Sequence, residues 1–319
     1  MVEKPVPDFL AGKLRSAGWV VALAALGYLV LSLWAGWREV IAATVHAGFG
    51  VIAGMLALSL LNYVLRFVRW QHYLARLDAP VPWGASARIY FAGFALTTTP
   101  GKLGELFRGL LLKAYGVPLM ASTAAFFAER AIDLLAIVLL CSMVFQLYPA
   151  AAPLILVAGG FVLSAIVAVQ SPRWIQAVAA WAGKMHGRFG HAVSHLCSLI
   201  LSFRRCFDLP TTGYALLLGL VAWGAEALGF HWLLHALGYP VPLALSIFIY
   251  AFAMLAGGIS FLPGGIGGSE LVMVGLLVWQ GLPEPVAVSA TLITRLATLW
   301  FAVGLGGIAL LLGRKVARP

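Results

Sequence analysis

The sequence predicts an all-α, polytopic membrane protein made of two inverted-topology internal repeats, each carrying a re-entrant or broken helical hairpin. Three observations carry that expectation: apolar runs long enough to cross a bilayer, a set of prolines, glycines and charges that recurs at constant offset, and a proline-glycine break inside each copy.

Of the 319 residues, 62% are hydrophobic and only 10% charged, and the mean hydropathy is +0.97. A soluble globule needs more charge on its surface than this chain can supply. Runs near 17–35, 48–65, 119–147, 152–170, 213–237 and 286–312 are each long enough, at about 1.5 Å per residue, to cross a hydrocarbon core of about 30 Å. The first run has no small-x-small cleavage site before a polar region, so it reads as a retained helix rather than a signal peptide. Between 172 and 209, Ile175, Val178, Ala182, Met185, Phe189, Val193, Leu196 and Phe203 fall at helical spacing with Lys184, Arg188 and Arg204 between them. That pattern predicts an interfacial amphipathic helix.

The formal charge of +10 lies at membrane-flanking positions rather than on a solvated basic face, so nucleic acid is not an expected partner. The positive-inside rule accounts for the clusters. Lys4, Lys13 and Arg15 place the N-terminus in the cytoplasm. Arg66, Arg69 and Arg76 do the same for the end of the second helix, Arg173, Lys184, Arg188, Arg204 and Arg205 for the amphipathic segment, and Arg314, Lys315 and Arg318 for the C-terminus. Cys141, Cys197 and Cys206 imply no disulfide framework. Tryptophans such as Trp34, Trp37, Trp70 and Trp83 serve as interfacial anchors.

At an offset of 160, Leu77, Pro80, Val81, Pro82, Ser86, Ile89 and Tyr90 match Leu237, Pro240, Val241, Pro242, Ser246, Ile249 and Tyr250. Pro100-Gly101 then meets Pro263-Gly264, and an offset of 165 pairs Glu105 with Glu270, Gly116 with Gly281, Pro118 with Pro283 and Arg130 with Arg295. The chain therefore reads as a single transmembrane domain over 1–319: repeat 1 over about 45–147, a connecting span and amphipathic helix over 148–209, and repeat 2 over about 210–312. An odd number of crossings separates the copies, which makes them inverted repeats of the kind secondary transporters use.

Each copy holds a break, "TTTPGKLGE" or "SFLPGGIGGSE", whose arms are 83–99 with 102–115 and 243–262 with 268–280. Hairpins that enter to mid-depth and return are favoured, although paired complete spans preserve the same parity. Broken backbone at membrane depth is tolerated only where protein or a water-filled cavity satisfies the freed amides. Thr99, Pro100, Gly101 and Gly104, with Pro263, Gly264, Gly265 and Gly267, are thus the hairpin backbone of a shared cavity. There glycine allows close approach, and helix N-termini favour an anionic group.

Charges at membrane depth are costly and are usually paired and turned inward. The candidates are Lys102, Glu105, Arg108, Glu129, Arg130, Asp133, Glu226, Glu270 and Arg295. Salt bridges that merely lock helices are the plain alternative for any one of them. As a set, Lys102, Glu105, Arg108, Glu129, Arg130, Asp133, Glu270 and Arg295 form the candidate substrate-binding group. Arg108, Arg130 and Arg295 would hold a lipid phosphate with their planar forks, while Glu105 and Glu270 orient them or carry a coupling proton. The pairs His191/His195 and His231/His235 have metal-ligand spacing but no third ligand, so packing is their expected role and neither metal nor cofactor is expected.

"PGKLGELFRGLLL", "ERAIDL" and "LPGGIGGSE" followed by a helix ending in an arginine resemble the lysylphosphatidylglycerol synthase transmembrane region family, the flippase-like domain of bacterial multiple peptide resistance proteins. The resemblance covers nearly the whole chain. It implies a lipid translocase of the bacterial inner membrane that moves a phospholipid, polyprenyl phosphate or glycolipid between leaflets, with a homodimer or lipid-synthesis enzymes as partners. The family's motif positions fall on Pro100, Gly101, Gly104, Glu105 and Arg108, on Glu129, Arg130 and Asp133, and on Pro263, Gly264, Gly265, Gly267 and Glu270. The soluble aminoacyl-transfer domain of the synthases is not in this sequence, so aminoacylation is not expected. Two other readings stand beside it: a membrane enzyme acting on a lipid headgroup with Glu129 or Asp133 as general base, and a non-catalytic subunit of a lipid-synthesis complex.

Overall fold

The computed structural model describes residues 36–99, 104–145, 152–184, 188–260 and 262–316, together with Gly27 and Pro149. Every regular element among them is helical: α1 (Trp37–Ala47), α2 (Phe49–Arg76), α3 (Trp83–Gly93), α4 (Phe107–Leu112), α5 (Leu119–Cys141), α6 (Ala152–Gln170), α7 (Pro172–Gly183), α8 (Arg188–Arg204), α9 (Leu209–Ala236), α10 (Leu243–Ile259), α11 (Gly268–Trp279), α12 (Glu284–Arg295) and α13 (Phe301–Val316). The run 17–35 apart from Gly27, and Lys4, Lys13, Arg15 and Arg318, lie outside the described residues.

Local chemistry sets the boundaries. Gly48, at φ 84°, separates α1 from α2, and Gly238, at φ 87°, follows α9; both conformations favour glycine. Pro80 and Pro82 after α2, and Pro240 and Pro242 after α9, lack the amide a continuing helix needs. Pro82 and Pro242 adopt extended backbone, and α3 and α10 start directly behind them. Helices α2 and α9 have 28 residues each and bounds 160 apart, while α5 and α12 start 165 apart, so the sequence offsets also map element onto element.

Helices α2 and α9 form the central pair and run antiparallel. Arg76 meets Asp208 at 2.8 Å at one end, Arg66 stacks over Trp223 in the middle, and Trp232 lies against Gly54 at the other. Around them α5 packs on α9 and α10, while α13 packs on α3. Between α12 and α13 the chain opens into a one-turn π segment, Leu296–Trp300, and the Tyr63 hydroxyl of α2 donates to the Thr298 carbonyl inside it. The apolar core is split in two, one cluster around Phe230, Tyr250 and Met273, the other around Trp70, Tyr90 and Ile132. Arg66 sits at their seam, between Phe94 of one and Trp223 of the other.

Three helices among the described residues are long and apolar enough to cross a membrane: 49–76, 209–236 and 284–312, with α6 and α7 a fourth if that pair, bent by 67°, counts as one span. The chain is therefore membrane-embedded. Helix α5 has the length, at 23 residues, but its window contains Glu129, Arg130 and Asp133. The hairpin arms are shorter: 11 and 6 residues in α3 and α4, 17 and 12 in α10 and α11, against the roughly 20 a crossing requires.

Two expectations are corrected. The single amphipathic helix over 172–209 is instead two helices, α7 and α8, packed on each other. Helix α7 ends at Gly183, a residue of low helix propensity. Arg66 and Arg69 are not flanking surface charges either. They are buried inside the bundle, and of that cluster only Arg76 is exposed.

Candidate functional site

The second break, Leu262–Ile266, turns through Gly264 at φ 64° and Gly265 at φ 68°, with Gly267 at φ 90° just beyond. Side chains other than glycine rarely adopt these angles. A chain of polar contacts locks the turn. The Gly267 amide donates to Glu270 Oε2 at 2.7 Å, Arg295 Nε donates to Glu270 Oε1 at 2.8 Å, and Arg295 Nη2 donates to the Gly264 carbonyl at 2.7 Å. Helix α12 thus grips the elbow between α10 and α11. Those arms approach so closely that a Cβ on Gly257 would lie 1.9 Å from Ser269 Oγ.

The first break is held similarly at its described residues. Thr99 Oγ1 donates to the Leu96 carbonyl at 2.8 Å and accepts from the Gly104 amide at 2.6 Å. Thr97 Oγ1 donates to Glu105 Oε1 at 2.9 Å. Pro100, Gly101 and Lys102 lie outside the described residues. The two elbows touch: a Cβ built on Gly264 would sit 3.4 Å from Thr98 Cα.

Beside that contact lies a cavity of about 500 Å³, mostly apolar in its walls, with Arg66, Arg130, Asp133, Glu226 and Arg295 among its lining residues and Tyr63, Trp223 and Tyr250 next to them. Asp133 is the hub of its charged wall. Arg69 Nη2 donates to Asp133 Oδ1 at 2.5 Å, and Trp223 Nε1 donates to the same oxygen at 3.1 Å. Arg130 Nη2 lies 3.0 Å from Oδ2, and Arg66 Nη2 lies 3.5 Å from it. Three arginines thus converge on one carboxylate. Across the cavity, the Tyr250 hydroxyl donates to Glu226 at 2.6 Å.

Behind this wall is a second buried pair. Arg108 is hydrogen-bonded to Glu129, which also accepts from the Tyr90 hydroxyl at 3.0 Å. The Arg108 guanidinium stands 4.0 Å from the centre of the Trp70 ring and 4.7 Å from that of Tyr90. Taking such charges out of water is costly and is offset only by close, well-made contacts, which the aromatic cage and the Glu129 carboxylate provide.

Of the residues expected to bind substrate, the structure brings Arg130, Asp133 and Arg295 to the cavity, with Gly264 and Gly265 of the elbow. Arg108 and Glu129 are not on it; they are wholly buried in the aromatic cage. Glu105 and Glu270 stand behind it, with Glu105 Oε2 4.0 Å from both Arg108 and Arg130. Thr99, Gly104, Pro263 and Gly267 shape the breaks. Sequence reasoning passed over Arg66, Tyr63 and Trp223. A signal for them existed: the offset of 160 sets Arg66 against Glu226 and Tyr63 against Trp223, and all four line the cavity.

Among the described residues no group of three or more His, Cys, Asp or Glu is placed to hold a metal ion. His231 Nδ1 lies 3.0 Å from Ser246 Oγ and His235 Nε2 lies 3.2 Å from the Val241 carbonyl, contacts that tie α9 to the start of α10.

The chain is similar to a UPF0104 membrane protein of Methanothermobacter thermautotrophicus, 25% identical over 316 residues and covering 90% of each chain. A UPF0104 membrane protein of Pyrococcus horikoshii is 32% identical over 101 residues, which is 32% of this chain and 30% of that one. The family described as the lysylphosphatidylglycerol synthase TM region matches residues 19–306. With that match spanning both breaks and the whole charged cavity, this chain belongs to the lysylphosphatidylglycerol synthase transmembrane-region family.

Proposed function

We propose that this protein is a lipid translocase that carries a phosphate-bearing lipid between the leaflets of the cytoplasmic membrane, with both chain termini inside. The carrying observation is the cavity of about 500 Å³ beside the meeting point of the two elbows, with Arg66, Arg130 and Arg295 in its wall. A charged headgroup crosses hydrocarbon only at high cost, and a hollow inside the bundle with Arg66, Arg130 and Arg295 in its wall lowers that cost while the acyl chains stay in lipid. Two features support inverted repeats with re-entrant hairpins: the offset-related helices α2 and α9 are antiparallel, and every hairpin arm falls short of a crossing. Such an architecture lets two equivalent halves rock about one fixed site.

In the alternative enzyme reading, Glu129 or Asp133 would be the general base. Each is engaged by a buried arginine instead, Glu129 by Arg108 and Asp133 by Arg69. The proposal therefore includes no covalent step. Purified protein in sealed vesicles containing tail-labelled fluorescent phospholipid tests it: a membrane-impermeant reductant should bleach label from both leaflets rather than the outer leaflet alone. Bleaching identical to that of empty vesicles for anionic and zwitterionic headgroups alike refutes translocation. A new lipid species in the extracts would favour the enzyme.

A further inference from the structure

Arg66 and Arg130 both line one cavity, and each keeps buried guanidinium donors that make no hydrogen bond within the protein. Arg66 is 5% exposed, yet its Nε and Nη2 have no hydrogen-bond partner. The same holds for Nε and Nη2 of Arg130. Both side chains approach Asp133 Oδ2, at 3.5 and 3.0 Å, and that oxygen itself accepts no hydrogen bond. By contrast Oδ1 is fully engaged by Arg69 and Trp223, and Arg295 spends its fork on Glu270 and the Gly264 carbonyl. Unmade donors on buried charged groups are expensive. Several of them lie directly behind one cavity wall, beside Asp133, where an acceptor entering from the cavity would have to displace Oδ2 to reach them.

We infer that Arg66 and Arg130 form an oxyanion subsite for a phosphate group and that Asp133 is its resident counter-ion. Oδ2 stands near both guanidiniums and partly neutralises them. A phosphate oxygen entering between them takes the aligned hydrogen bonds that Oδ2 does not, with charge-assisted, fork-like geometry. Arg69 and Trp223 keep Asp133 anchored through Oδ1 while this exchange occurs. Asp133 therefore competes with the ligand. The inference rests on the translocase reading for its lipid source, because a phosphate ester of a lipid and free phosphate present the same oxygens.

Binding to detergent-purified protein in phosphate-free buffer, with dihexanoyl phosphatidate and with inorganic phosphate as probes, tests it. Arg66→Gln should weaken phosphatidate binding about tenfold to a hundredfold, the worth of a charged hydrogen bond. Asp133→Asn should tighten it about fivefold or more by removing a like charge beside the ligand. If Asp133→Asn alone does not fold, the double variant Arg69→Gln/Asp133→Asn removes one charge of each sign and should still bind at least as tightly as the native protein. No binding of either probe, unchanged affinity in Arg66→Gln, or equal or weaker affinity in whichever folded Asp133 variant is measured overturns the inference. Phosphatidate bound tenfold or more tightly than phosphate identifies a lipid headgroup as the ligand; equal affinities identify free phosphate. Vesicles separate the two proposals: lipid movement with unaltered binding in the variants sinks the subsite alone, and the expected binding pattern without lipid movement sinks the translocase reading alone.

Discussion

Gly306→Ala is a severe test of how the last helix is seated. Gly306 lies on α13 where that helix crosses the backbone turn after α3, and a Cβ there would be 2.2 Å from the Ala95 amide nitrogen and 2.7 Å from the Phe94 carbonyl carbon. Ordinary contact begins near 3.4 Å, so the backbones must part by more than an ångström. The obstructing atoms are main chain and cannot swing aside. Overpacking of this kind costs about 1–3 kcal/mol, and a backbone clash belongs at the upper end. Alanine also gains about 1 kcal/mol over glycine in a helix interior, so the net loss comes to about 2 kcal/mol. Gly304 and Gly307 are internal controls, because a Cβ at either meets nothing within 4 Å; there alanine should be neutral or stabilising by up to about 1 kcal/mol. Denaturant titration of the three variants in one detergent measures the differences. Equal midpoints for Gly306→Ala and Gly307→Ala would falsify the close crossing. Since Phe94 and Thr97 on that turn line the cavity, Gly306→Ala should also slow lipid movement.

Arg108→Met, which leaves Glu129 buried without its guanidinium, should cost about 3–5 kcal/mol in the same titration; a loss under 1 kcal/mol contradicts the caged pair. Arg76 and Asp208 are close but exposed, so Arg76→Gln should change stability by no more than about 1 kcal/mol. The Asp208 carboxyl is held below its usual range, first by the Thr211 hydroxyl and then by Arg76. Its small contribution is therefore present above the unfolded value of about 3.9 and is lost as pH falls through the lower folded value, which an Asp208→Asn comparison between pH 7 and pH 3 reads directly. Burial pushes the Cys206 thiol up to about 12, so with Cys141 and Cys197 replaced by alanine a maleimide should label the native protein at neutral pH only after denaturation; rapid labelling refutes that burial.

Legibility in the sequence followed the range of the forces involved. Proline and glycine act on their own residue and its neighbours, so the ends of α2 and α9 and the places of both breaks could be read from Pro80, Pro240, Pro263 and Gly264. The length of an apolar run reports its surroundings directly, and membrane embedding followed. The break between α7 and α8 was harder. Helical spacing of apolar residues persists across Gly183 and Gly187, and periodicity alone cannot show that a helix folds back on itself.

The candidate site divides along the same line. By itself the sequence determined that Glu129 and Asp133, charges inside a long apolar run, lie within the bundle, because a charge at membrane depth has to find a partner. Only the tertiary structure decided which arginines face the cavity. Arg108 is walled in by Trp70 and Tyr90, whereas Arg66, indistinguishable in the text from a flanking cation, reaches Asp133 67 residues away. Such pairings depend on how α2, α5 and α9 cross, and a crossing is settled by packing between distant segments rather than by any residue's own preference.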